Sequence, residues 1–336
     1  MLLSATQDAP TPALLVDVAA ARRNVERASR HFAGVRPRLR PHFKAHKCPE
    51  LMRLQLAGGD CAGITCATAW EAEVAARLHD DVLVANEVVD VAPLARAAEH
   101  ARITVAIDSP RHLELLAGLD VDVLVEVDVG QHRCGLDPDD EDAIVALARL
   151  AGPRLRGLQG YEGHAVLLPD RSAREAHVAR ATAILERLRA LLGCELVSGG
   201  GTGTYDLSTA LDEIQAGSYV LMDASYERLG LPFELALFCR ATIVSRNGTR
   251  AVADAGLKAL SVEYGLPRAV DATLEVVGLA DEHATLRVPP DCPLAVGDAI
   301  LLVPSHVDPT VNLHSTLHAV QEDGTVERWP VEARRP

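Results

Sequence analysis

RLRPHFKAHKCPELMRLQLAGGDCAGITCATAWEAEVAARLHDDVLVANE, residues 38–87, sets the pattern of the chain. Short β-like runs at 38–46, 61–67 and 81–87 are separated by stretches rich in Ala, Leu, Arg and Glu. The runs are apolar at successive positions rather than at alternate ones, as in strands buried on both faces. The same texture continues through candidate strands at 102–108, 122–130, 155–163, 194–200 and 213–220, with helical stretches such as 67–79 and 172–192 between strands. Asp108-Ser109-Pro110 places proline near a first helical turn, and Gly193 follows a last one. Eight strands joined by crossovers predict a parallel (β/α)8 barrel; a doubly wound open sheet alternates in the same way and is the second choice.

After about residue 236 the helical periodicity fades. Short β runs punctuated by Gly and Pro take over, among them LALFCRATIVSR, TRAVADAG, ATLEVVGL and DAILLVPS. The early run TPALLVD reads as one more strand, able to pair with this later region. The expected organisation is therefore an N-terminal strand at 1–20, a barrel at 21–235 and a C-terminal all-β domain at 236–336.

Apolar residues make up 48% of the 336 and charged residues 24%, which fits a globular protein and argues against a disordered or fibrous chain. The net charge of −14 argues against a general nucleic-acid binder. No run of about eighteen apolar residues suggests a membrane span. The N-terminus carries no basic stretch ahead of an apolar one, so no secretory signal is expected. Seven scattered cysteines fit reduced thiols in a cytoplasm better than a disulfide framework.

Of 33 basic residues only Lys44, Lys47 and Lys258 are lysine. Any chemistry that needs a primary amine must use one of these three. Lys44 falls near the end of the first barrel strand, where functional residues of barrels stand, and a lysine there can form a Schiff base. A surface lysine is the plainer reading. Arg133, in VDVGQHRCG, could hold a ring nitrogen or a carboxylate, or simply cap a loop. SGGGTGTY (198–205) follows the seventh barrel strand and AGSY (216–219) the eighth; two small-residue turns at these places suggest a phosphate site. In PSHVDPTVNLH (304–314), an extended backbone would put His306 and Asp308 on one side. That pair could hold a divalent cation, or be a turn with a nearby surface histidine.

TPALLVD, RPHFKAHK, VDVGQHRCG, SGGGTGT, QAGSYVLMD, DAGLKALS and HVDPTVNLH, in that order from about residue 10 to 330, resemble the D-threonine aldolase and D-serine dehydratase group, relatives of alanine racemase. The resemblance implies a pyridoxal 5'-phosphate enzyme with an alanine-racemase-like barrel and a C-terminal β domain. It places Lys44 at the Schiff-base lysine, and Thr202, Gly217, Ser218 and Tyr219 in phosphate-binding segments. Arg133 and Tyr161 match positions near the cofactor ring, and His306 and Asp308 the metal ligands. Members of this group are typically homodimers. Dehydratases of the group usually carry Cys two residues after the metal-binding histidine, which suits Zn²⁺. Asp308 matches the aldolases and suits Mn²⁺ or Mg²⁺. Val307 departs from the Cys usual between the aldolase ligands; a residue between two same-face ligands points away from them.

The resemblance implies retro-aldol cleavage of a D-3-hydroxy amino acid to glycine and an aldehyde, with the metal on the β-hydroxyl or on a water that acts as base. A D-serine or D-3-hydroxyaspartate dehydratase would use the same parts. A metal-free racemase has no use for His306 and Asp308. A pyridoxal phosphate carrier needs no β domain with a metal pair. A barrel aldolase using Lys44 without the cofactor leaves the two glycine-rich loops unexplained.

Overall fold

The computed structural model describes residues 2–334. The chain divides into two compact units. One is built from Ala28–Lys44 and Leu51–Gly217; the other from the N-terminal segment as far as Arg27, with Ala45–Glu50 and Ser218–Glu332.

The first unit is the barrel. Its strands are β2 (Arg38–Leu39), β3 (Ile64–Cys66), β4 (Asp81–Val84), β5 (Arg102–Ile107), β6 (Val121–Glu126), β7 (Leu155–Gly160), β8 (Leu196–Gly199) and β9 (Glu213–Ile214), numbered after an N-terminal β1 (Ala13–Asp17). They pair in parallel in the order β2-β9-β8-β7-β6-β5-β4-β3. A parallel bridge between His42 and Thr65 closes the ring, helped by Ala62 N–H donating to Leu39 O (2.8 Å) and Thr65 N–H to Pro41 O (2.9 Å). Ile64, Val82, Ile103, Val123, Val125 and Leu158 are fully buried, which is why these strands read as continuous apolar runs. Thr68, Ser109 and Asp170 cap the N-termini of the helices Ala69–Ala75, Pro110–Leu115 and Arg171–Leu192, each with its side chain accepting a backbone N–H. Gly193 ends the last of these at φ +64°, a left-handed conformation that favours glycine.

The outer strands of the sequence reading are shorter than expected. The candidate at 38–46 keeps regular pairing only over β2, because Pro41 has no N–H to give and Phe43–Ala45 turns into a 3₁₀ helix. The candidate at 213–220 likewise stops at Ile214 and becomes a 3₁₀ helix at Ser218–Val220.

The second unit is a mixed nine-stranded sheet. It contains β1, β10 (Leu237–Asn247), β11 (Arg250–Ala253), β12 (Arg268–Ala269), β13 (Glu275–Leu279), β14 (Ala284–Arg287), β15 (Ala299–Val303), β16 (Thr316–Val320) and β17 (Val326–Pro330). β1 lies antiparallel to β10 and parallel to β16. This region is not purely β, since Val307–Asn312 forms a short helix.

Candidate active site

In the barrel unit, Lys44 sits in the 3₁₀ turn straight after β2, half-buried, with its N–H donating to His42 Nδ1 (3.4 Å). The N–H of the same His42 donates to Ala216 O (3.2 Å). The backbone therefore ties the lysine turn to the turn that holds Gly217. Arg133 lies in the loop after β6, and its guanidinium carbon is 5.8 Å from the centre of the Tyr161 ring. Tyr161 follows β7 directly.

The glycine-rich loop after β8 closes against the same tyrosine. A Cβ on Gly201 would lie 3.3 Å from the Tyr161 ring, and one on Gly203 would lie 1.8 Å from Val166 O. Gly203 must be glycine for the loop to pack this closely, while a side chain at Gly201 would press on the Tyr161 ring. Thr202 is buried between them. Glu162 braces the loop from below: its Oε1 accepts from Thr204 Oγ1 (2.6 Å) and Ser208 Oγ (3.2 Å). A tight, glycine-lined turn with buried hydroxyls fits a phosphate, and the lysine turn tied to the approach to Gly217 fits an aldehyde.

The sheet unit brings together Ser218, Tyr219, His306 and Asp308. His306 is not in a continuous extended segment, as its sequence spacing suggested. It is extended itself (φ −143°, ψ 128°) but stands as N-cap of the helix Val307–Asn312, with Asp308 in the first turn. The side chains still converge, with Nε2 3.7 Å from Asp308 Oδ1 and only 13% and 15% of each exposed. Val307 is fully buried, so the residue between the two does point away. Ser218 Oγ donates to Asp308 Oδ1 (3.3 Å), so a residue expected at the phosphate also touches one of the expected metal ligands. Tyr219 is buried against Phe233.

Two supporting residues escaped the sequence reading. Glu263 Oε2 is 2.7 Å from His306 Nδ1, and the Tyr264 ring lies 4.8 Å from the imidazole. Nδ1 is thereby committed to Glu263, and Nε2 faces Asp308. Asp223 is fully buried and accepts the N–H groups of Ser225, Tyr226 and Val307. Burial pushes its carboxyl up to about 6, against those hydrogen bonds. Asp223 thus ties the helix Ala224–Glu227 to the turn carrying the metal pair. The span of 3.7 Å is less than two metal–ligand bonds of about 2.1 Å, so one ion could touch both atoms. Among the described residues no group of three His, Cys, Asp or Glu side chains is arranged around a metal, so these two would leave most coordination positions open.

The comparisons with known proteins bear on this arrangement. The family model for the alanine racemase N-terminal domain matches residues 16–225, and a serine dehydratase domain model matches residues 236–320. The chain is 40% identical to a D-threonine aldolase of an Arthrobacter species, across 96% of this chain and 92% of that protein. The chain belongs to the alanine racemase-like family, in the group of the D-threonine aldolases. It is 35% identical to a 3-hydroxy-D-aspartate aldolase of Paracoccus denitrificans, with the same coverage. The crystal structure of D-threonine aldolase from Filomicrobium marinum superposes with a TM-score of 0.91 at 38% identity, covering 97% of this chain and 96% of that one. The protein is a lyase of this type, and its fold is the alanine-racemase-like barrel with a separate β domain. None of its described helices is long and apolar enough to cross a membrane.

Proposed function

We propose that the protein is a pyridoxal phosphate- and divalent-metal-dependent aldolase that cleaves D-3-hydroxy amino acids between Cα and Cβ, releasing glycine and an aldehyde. The observation that carries this reading is the His306–Asp308 pair, converged to 3.7 Å in a chain whose barrel carries Lys44 just past its first strand. Lys44 would hold the cofactor's aldehyde carbon. Thr202, Gly217, Ser218 and Tyr219 would hold its phosphate, and Arg133 and Tyr161 would serve its ring. Pyridoxal phosphate, when bound, supplies an electron sink for the pair of electrons left on Cα. His306 and Asp308 would hold the divalent ion, which would supply acidity at the substrate's β-hydroxyl.

The remaining work belongs to the chain's own residues. Glu263 fixes the His306 ring so that Nε2, not Nδ1, is presented. Asp308 gives a hard oxygen, which favours Mn²⁺ or Mg²⁺ over Zn²⁺. Lys44 is a primary amine that can both give and take a proton, which arginine cannot do. It would supply the proton that Cα takes up. A homodimer working in a reducing cytoplasm is the setting we assign, in keeping with seven free cysteines.

The test is direct. Purified protein reconstituted with pyridoxal phosphate should be yellow, and Lys44→Ala colourless. With Mn²⁺, D-threonine or D-phenylserine should yield glycine plus aldehyde. Ammonia plus a keto acid would instead make it a dehydratase, the reading that the match over residues 236–320 favours. Activity that survives both chelation and His306→Ala would remove the metal from the mechanism.

A further inference from the structure

The proposed chemistry leaves a set of buried polar groups at the barrel mouth without a task. Glu126, the last residue of β6, is 4% exposed, and its Oε2 accepts a hydrogen bond from Gln159 Nε2. Gln159 Oε1 accepts from Gln215 Nε2 (3.0 Å), and the same nitrogen lies 2.9 Å from Ser198 Oγ. All four side chains are buried. They form a relay across the ends of neighbouring strands that finishes in the turn leading to Gly217. The loop carrying Arg133 is pressed onto Glu126. A Cβ on Gly135 (φ +101°) would lie 3.1 Å from Glu126 Cγ and 2.6 Å from Asp128 N, so only glycine admits the loop here.

The charges in this place are unbalanced. Glu126, Arg133, Cys134 and Tyr161 line one small cavity, together with Asp128. Glu87 and Asp108 also act on Glu126, and Arg133 is the cation that opposes them. The Cys134 thiol faces Glu87 as well, and burial raises it to about 11, so it stays neutral. Asp108 has His112 Nδ1 at 3.3 Å and the Gly135 N–H at 3.0 Å. Asp128 is occupied by the N–H groups of Gly130 and His132 and by the His132 ring. With Glu87 and Asp108 nearby and one guanidinium to oppose them, the charged form of Glu126 is disfavoured. Glu126 is the most buried of these three carboxyls. Burial first, and then Glu87, push it up to about 8, against the pull of Gln159 and Arg133.

We infer that Glu126 is a positioning residue for Arg133: as an uncharged acid tied into the Gln159–Gln215–Ser198 relay it leaves the guanidinium on the Tyr161 ring, and on losing its proton it draws the guanidinium off that ring into an ion pair. The proton-linked movement stands on the barrel alone. Its effect on catalysis rests on the proposed place of the cofactor ring beside Arg133 and Tyr161.

Infrared difference spectra of protein carrying ¹³C-labelled glutamate carboxyls follow the proton. The band of a protonated carboxyl should disappear with a midpoint near pH 8 and be missing in Glu126→Gln. In Gln159→Leu, which removes a hydrogen bond to the charged form, the midpoint should rise by about one pH unit. Near-ultraviolet absorbance of the cofactor-free protein follows the movement. A tyrosine difference signal should share that midpoint and be lost in both Tyr161→Phe and Glu126→Gln. In the loaded enzyme the cofactor absorbance should step at the same pH in wild type and stay flat in Glu126→Gln. The inference is overturned if no carboxyl band titrates between pH 6 and 9, or if the tyrosine signal is unchanged in Glu126→Gln. A loaded enzyme with no absorbance step, beside intact infrared and tyrosine midpoints, supports the movement and removes the cofactor ring from Arg133. Failure to bind pyridoxal phosphate at all would defeat the proposed function and leave both cofactor-free measurements to decide this inference.

Discussion

Replacing Arg40 with methionine should destabilise the barrel far more than a typical surface change. Arg40 follows β2, is 1% exposed, and makes a two-pronged pair with Glu213: Nε to Oε2 and Nη2 to Oε1, both 2.8 Å. Its Nη1 also reaches Asp81 Oδ1 at 2.9 Å. Gly63 shows how tightly the guanidinium is housed, since a Cβ there would lie 2.2 Å from Nη1. Removing one partner of a buried pair leaves an uncompensated charge, at a cost of about 3–5 kcal/mol. For a unit of this size that lowers Tm by roughly 10 °C. The two carboxylates should not suffer equally. Asp81 keeps Arg156, whose Nη2 is 3.2 Å from Oδ2, whereas among the described residues Glu213 has no second cation in an ion pair. Arg40→Met/Glu213→Leu should therefore recover more than half of the loss. Burial alone would raise the Asp81 carboxyl, but Arg40 and Arg156 outweigh it and hold it below its usual value. A lowered folded-state pKa gives stability that is present above the unfolded value and lost as pH falls through the folded one. The acid limb of the stability curve should accordingly be shallower in Arg40→Met. Urea unfolding followed by circular dichroism at several pH values measures all three effects. A single mutant within about 0.5 kcal/mol of wild type, the range of ordinary surface changes, would refute the reasoning. So would a double mutant no more stable than the single one.

Two further outcomes concern the site itself. Glu263→Gln should weaken Mn²⁺ binding by about 10–100-fold, as loss of a group that orients a metal-binding histidine does; titration followed by electron paramagnetic resonance reads this, and unchanged affinity would mean Glu263 does not set the His306 ring. Gly203→Ala places a methyl 1.8 Å from Val166 O, so the loop must move. Overpacking of this kind costs about 1–3 kcal/mol, or roughly 5–100-fold in pyridoxal phosphate affinity if the loop holds the phosphate; equilibrium dialysis measures it, and an unaltered affinity would place the phosphate elsewhere.

The barrel was legible because strands buried on both faces leave an unmistakable apolar run; β3, β4, β5, β7 and β8 fall inside the runs that predict them, and β6 starts one residue ahead of its run. Its first and last strands were overread because an apolar run does not show where hydrogen bonding stops. Past Leu39 and Ile214 the backbone still makes single contacts, such as Arg40 N–H to Ile214 O (2.8 Å), but not a ladder. The metal motif was misread locally although the signal was present. Asp308-Pro309 suits a helical first turn, where an acidic side chain meets the helix dipole and proline's missing N–H costs nothing. Glu263 and the reach of Asp223 to Val307 could not be read, because those partners lie far away in sequence and only the folded sheet unit brings them together; the capping of Ser225 and Tyr226 by Asp223 is local. The Glu126 relay lies between. Glu126, Gln159 and Ser198 are polar residues near the ends of otherwise apolar strands, a pattern that marks the functional end of a barrel.

The three lysines can now be separated by what each one does. Lys258 pairs with Glu282 at the surface, a contact arginine would make equally well, so its retention carries no functional meaning. Lys47 donates from Nζ to Asn312 Oδ1 (2.8 Å) at the far end of the helix that His306 caps, and its carbonyl accepts the Glu332 N–H (3.0 Å). It sits at φ +50°, a left-handed conformation uncommon for a lysine. Its task is to fix a turn. Lys44 is the one placed just beyond a barrel strand, in a half-buried turn that His42 ties to the approach to Gly217. A chain that uses arginine almost everywhere keeps lysine where a shorter, single-point donor or a deprotonatable amine is needed. Lys47 satisfies the first need. The position of Lys44 calls for the second.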